Sequence, residues 1–173
     1  MWVPSVGLTM DHPPIIDGQN YVGFGAGLFD AEVNGQGAHP SVFARYFYGR
    51  RVSENSSIEF ALGRYKDFGR RHRDLAGTES GQAHAWVADV SMGRSYSITR
   101  RLALYARLGW SLQHTSVDGP SSASTSNQPV ATIGMTIGLY DDAPVRLEFG
   151  HLKGNRALRD INQFSLQIVH VLR

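Results

Sequence analysis

Apolar residues recur at every second position in separate stretches along the whole chain, and this period of two most restricts the fold. From Val22 to Leu28 one face reads Val22, Phe24, Ala26, Leu28 and the other Tyr21, Gly23, Gly25, Gly27. Leu102, Leu104, Ala106, Leu108 and Trp110 alternate with Ala103, Tyr105, Arg107, Gly109 and Ser111. Ala131, Ile133, Met135 and Ile137 alternate with Thr132, Gly134 and Thr136, and Val145, Leu147 and Phe149 with Arg146, Glu148 and Gly150. Side chains alternate in this way on a β-strand, whereas a helix repeats every 3.6 residues. Around Val42–Tyr48 both faces carry aromatics, which leaves a bulge or a shifted register open there.

The pattern predicts eight strands, near residues 21–31, 41–50, 57–67, 83–94, 101–113, 129–140, 145–152 and 163–172. Most approach the roughly 9–11 residues that a tilted strand needs to cross a bilayer core. The connections alternate in character. Arg51–Ser56, Ser95–Arg100 and Asp141–Pro144 are short, while Glu32–Pro40, Phe68–Gln82, His114–Gln128 and Lys153–Asn162 are longer and rich in Gly, Ser, Asn or charge. Short turns on one rim and long loops on the other describe an outer-membrane barrel. The expected fold is therefore all-β: an eight-stranded antiparallel up-and-down transmembrane β-barrel over residues 21–173. Short turns would face the periplasm and long loops the exterior. Residues 1–20 precede the first strand as an N-terminal segment expected on the periplasmic side, packed near the rim or lengthening the barrel wall. They lack a basic start followed by an apolar core, so they do not read as a signal peptide.

The two faces decide between a membrane barrel and a soluble one, which would turn its apolar residues inward. The less apolar face carries Gly23, Gly25, Gly27, Gly63, Gly93, Gly109, Gly134, Gly138 and Gly150. Eight strands leave an interior just wide enough for side chains, and glycine relieves crowding there. The same face carries Arg45, Glu59, Asp89, Arg107, Arg146 and Glu148. Three acids and three arginines suit an interior network, because a buried charge without a partner is costly. The opposite face is nearly unbroken aliphatic, as lipid demands. Trp86, Trp110, Tyr46, Tyr48 and Phe164 are expected near the interfaces. No stretch of about 18 apolar residues offers a transmembrane helix, and cysteine is absent. The expected location is the bacterial outer membrane.

The opening strand, Tyr21-Val22-Gly23-Phe24-Gly25-Ala26-Gly27, and the closing one, Asn162 to Leu172, resemble the small eight-stranded outer-membrane barrels. That family includes the transmembrane domain of outer-membrane protein A and its adhesin and resistance relatives. The resemblance implies a structural wall protein, an adhesin, a resistance factor or, less often, a lipid A-modifying enzyme. It also implies that the closing strand is a signal for the outer-membrane assembly machinery. Such signals normally end in an aromatic residue, whereas this chain ends in Leu172-Arg173 with His170 just before.

The most enzyme-like stretch is Glu148-Phe149-Gly150-His151-Leu152-Lys153-Gly154-Asn155. It resembles the His-x-Ser-Asn motif of outer-membrane lipid A deacylases at His151 alone. Lys153 occupies the serine position, and no acid is expected to follow in the last strand, so acyl transfer lacks its nucleophile. The seven histidines, at 12, 39, 72, 84, 114, 151 and 170, include no pair with metal-site spacing. No cofactor-binding motif is present. The densest basic cluster holds Lys66, Arg70, Arg71 and Arg73. At a barrel rim its natural partners are outer-leaflet lipopolysaccharide phosphates or an anionic host ligand, not nucleic acid. The expected role is non-enzymatic, structural or surface-binding; the alternative is a lipid A-modifying enzyme using His151.

Overall fold

The alternation becomes a closed wall in a computed structural model that describes residues 18–33, 36–37, 40–68, 83–117, 124–138, 143–153 and 158–172. Its strands are β1 (Asn20–Val33), β2 (Gln36–Gly37), β3 (Ser41–Ser53), β4 (Ser56–Phe68), β5 (Ala83–Thr99), β6 (Leu102–Val117), β7 (Ser124–Ile137), β8 (Val145–Leu152) and β9 (Leu158–Leu172). Each long strand pairs antiparallel with the next, and β1 pairs with β9 to close an eight-stranded barrel. Closure removes both sheet edges, so no long strand leaves a row of backbone donors and acceptors facing lipid. The two residues of β2 merely fold back on the end of β1, pairing Glu32 with Gly37.

The register puts the predicted faces where the pattern placed them. Phe24, Leu62, Leu108 and Ile133 point outward and are exposed, while Glu59, Arg107, Glu148 and Gln167 point inward and are buried. Outward residues can be followed across the wall as a row from Arg94 through Ala106, Ile133 and Phe149 to Phe164.

Differences from the sequence expectation concern length and register. β5 continues to Thr99, through the stretch 95–100 expected to be a short connection. β6 continues to Val117 and β7 begins at Ser124, inside the stretch 114–128 expected to be loop. Polar Ser124–Asn127 hide this strand from a hydrophobic pattern. The backbone ladder still pairs them with Leu112–Thr115, because ladder hydrogen bonds need no apolar side chain. For the same reason β9 begins at Leu158 rather than near residue 163. Finally, β3 runs in unbroken register against β1 and, from Phe43 to Arg51, against β4; the open alternative of a bulge near 42–48 does not occur. Phe43 and Phe47 turn inward, and Tyr46 and Tyr48 outward.

Candidate functional site

The inward parity of β3, β4, β5, β6 and β8 brings six charged side chains into the middle of the lumen. Arg45 donates from Nη1 to Glu148 Oε1 at 2.8 Å and from Nη2 to Asp89 Oδ1 at 2.9 Å. Its Nη2 also lies 3.5 Å from Glu59 Oε1. Arg107 bridges Glu59 and Glu148, and Arg146 Nη1 donates to Glu59 Oε2 at 2.8 Å. Every acid thus meets at least one guanidinium, which offsets part of the desolvation cost of burying it.

Tyrosines complete the network. The Tyr105 hydroxyl donates to Glu148 Oε2 at 3.0 Å and that of Tyr21 to Glu59 Oε2 at 3.3 Å. The Arg146 guanidinium also lies 4.9 Å from the centre of the Tyr21 ring and 5.3 Å from that of Phe47, within reach of the ring quadrupoles. Neither tyrosine was singled out from sequence, although both occupy the glycine-and-charge parity that marks the lumen.

Aromatic packing closes the space beyond the charges. Phe43 stacks on Tyr65 with ring centres 5.0 Å apart, and Phe29 meets Tyr65 edge-on at 4.9 Å. The Tyr65 hydroxyl bonds to Gln163 Oε1 from the opposite wall. Towards the short-turn rim, Tyr21, Arg51, Arg107 and Arg146 line a lumenal space of about 50 Å³. That is room for one or two waters. Ion pairs and aromatic rings thus fill the middle of the described lumen.

The long-loop rim holds the remaining candidates. Lys66 is exposed at the end of β4, while Arg70, Arg71 and Arg73 lie outside the described residues. Arg64, on the same outward face, sits 5.1 Å over the Trp86 ring. His151 Nδ1 lies 2.8 Å from Asn162 Oδ1, and its Nε2 lies 3.7 Å from Asp160 Oδ2. This corrects the expectation that no acid follows in the last strand: β9 starts early enough to include Asp160. Asp160 is thus near the ring without a direct hydrogen bond to it, and Lys153 still holds the position of a nucleophilic hydroxyl. Among the described residues no group of three His, Cys, Asp or Glu side chains is placed to hold a metal.

Known proteins share this architecture. Neisserial surface protein A superposes with a TM-score of 0.71 at 15% identity, covering 87% of this chain and 96% of its own. Ail, the attachment invasion locus protein of Yersinia pestis, gives 0.64 at 10% identity, covering 91% of this chain and 100% of its own. Outer membrane protein OprG from Pseudomonas aeruginosa gives 0.59 at 8% identity, covering 92% and 96%. At such identities these likenesses establish the fold. No curated protein sequence matches the chain. The profile of the outer membrane protein beta-barrel domain, however, matches residues 15–169. Together with the lipid-facing wall and the charged lumen, that match shows that the chain belongs to the outer membrane protein beta-barrel domain family and resides in the bacterial outer membrane.

Proposed function

We propose that this barrel is a non-enzymatic anchor for a surface-binding rim, whose basic residues contact phosphates of lipopolysaccharide or another polyanion. The closed lumen carries this reading. A barrel filled with ion pairs and aromatic rings has little use as a pore, which leaves its ends to act. The basic run begins with Lys66 near the end of β4 and continues in sequence with Arg70, Arg71 and Arg73, towards a rim bordered by anionic lipid. Arginine engages phosphate or sulfate through a planar fork, so clustered arginines can hold more than one group. Ail has been crystallised with the heparin analogue sucrose octasulfate, an anionic ligand on a similar barrel.

Changing Arg70, Arg71 and Arg73 together to serine should weaken binding to lipopolysaccharide-containing vesicles. Wild-type binding should itself fall as salt rises. Undiminished binding by a folded triple variant would exclude this loop. The competing reading is lipid A hydrolysis at His151, supported by the neighbouring Asp160. It requires fatty acid release from lipopolysaccharide, detectable by mass spectrometry. The missing hydroxyl argues against it. The strand β9, which closes the wall against β1, is the segment proposed to engage the assembly machinery.

A further inference from the structure

A groove of about 740 Å³ runs across the outer wall, with Leu104, Ala106, Ile133, Met135, Leu147 and Phe149 among its lining residues. Its volume lies within the roughly 300–1,000 Å³ typical of small-molecule sites. The floor is low at Ala106, whose single methyl stands on β6 between the outward side chains of Leu104 and Leu108. All six side chains lie on the lipid-facing parity.

One end of the groove is cationic. Arg94 shares the cross-strand row of Ala106, Ile133 and Phe149, pairing directly with Ala106. On its other side it pairs with Ser56, and the next residue, Ser95, donates its backbone N–H to the Asn55 carbonyl at 2.8 Å. These contacts place Arg94 level with the β3–β4 turn, in the short-turn half of the wall, with Tyr96 and Ile98 outward beyond it on β5. The side chain is exposed and has no ion-pair or hydrogen-bond partner among the described residues. A guanidinium on a lipid-facing wall is costly unless an anion or headgroup layer solvates it.

The geometry points to a binding site for one anionic glycerophospholipid of the periplasmic leaflet, with an acyl chain in the Ala106 groove and the phosphodiester on Arg94. The apolar lining suits the chain. Arg94 supplies charge complementarity at the short-turn end of the groove, and its fork can take two phosphate oxygens. This site is separate from the basic extracellular run and does not depend on that run binding lipopolysaccharide.

The test uses full-length protein, folded in detergent and loaded from mixed micelles with phosphatidylglycerol or phosphatidylcholine of identical chains. Bound lipid is counted by native mass spectrometry. Wild type should hold one phosphatidylglycerol in preference to phosphatidylcholine by about fivefold, the factor equivalent to the ~1 kcal/mol that one basic residue contributes near an anionic surface. Arg94→Gln should abolish the preference and Arg94→Lys should keep most of it. Ala106→Trp, which fills the groove, should reduce retention of both lipids. Heat-modifiable migration checks that each variant is folded, and Arg94→Gln, an exposed change, keeps the test decisive if Ala106→Trp does not fold. Equal retention of the two lipids by wild type would overturn the proposal. So would an unchanged preference in Arg94→Gln, which would leave the groove as a site for acyl chains or other apolar molecules without headgroup recognition.

Discussion

Phe47 on β3 lies against Gly23, its direct partner on β1: a Cβ built on Gly23 would fall 2.1 Å from Phe47 Cζ and 2.7 Å from the Ile168 carbonyl oxygen. The same relation recurs two rows away. A Cβ on Gly49 would fall 2.1 Å from Cζ of its partner Tyr21. Large inward rings fit a narrow lumen because the facing position is empty. Gly23→Ala should therefore destabilise the barrel by about 1–3 kcal/mol, the usual cost of overpacking. Gly138→Ala, where an added Cβ would stand 3.6 Å from its nearest neighbour, Arg101 Cα, should change little. Urea unfolding of both variants in lipid vesicles measures the difference. Equal stabilities would show that the ring moves aside at no cost.

Glu148 accepts from Arg45, Arg107 and Tyr105, so its loss leaves more buried arginines than acids in this six-residue network. Glu148→Leu should cost about 3–5 kcal/mol, as breaking a buried pair does. Adding Arg107→Leu should recover part of that loss, because the second change removes an uncompensated charge. A double-mutant cycle in denaturant checks this, and strictly additive effects would rule out direct coupling.

Leu108 is 71% exposed on the outer wall. Leu108→Arg should reduce folding into vesicles, at about 2–4 kcal/mol if the site lies near the bilayer midplane. On a water-facing wall the same change would be nearly neutral. Measured stability in vesicles distinguishes these cases directly.

The packed lumen predicts electrical silence. Folded protein in planar bilayers should show no steady single-channel conductance, since ion pairs and aromatic rings occupy the middle of the lumen. Stable, reproducible current steps from the purified protein would contradict a closed lumen.

The alternation by itself determined which side chains face lipid and which face the lumen. A strand's period is two, so parity is local information: Leu108 out and Arg107 in follow from neighbouring residues. The strand count, and with it the eight-stranded barrel, came from the same pattern. Strand ends were less legible, because Ser124–Asn127 and the start of β9 are held by backbone pairing that carries no apolar signature. The partners inside the lumen were decided by tertiary structure alone. Arg45 and Glu148 are 103 positions apart, and only closure of β1 onto β9, with the stagger of each register, sets which acid stands beside which arginine. The pairing of β3 with β1 decided Phe43 and Phe47. Two-faced aromatics on β3 are ambiguous in sequence until the glycines of β1 are brought opposite them, because the room a ring needs is supplied by a different strand.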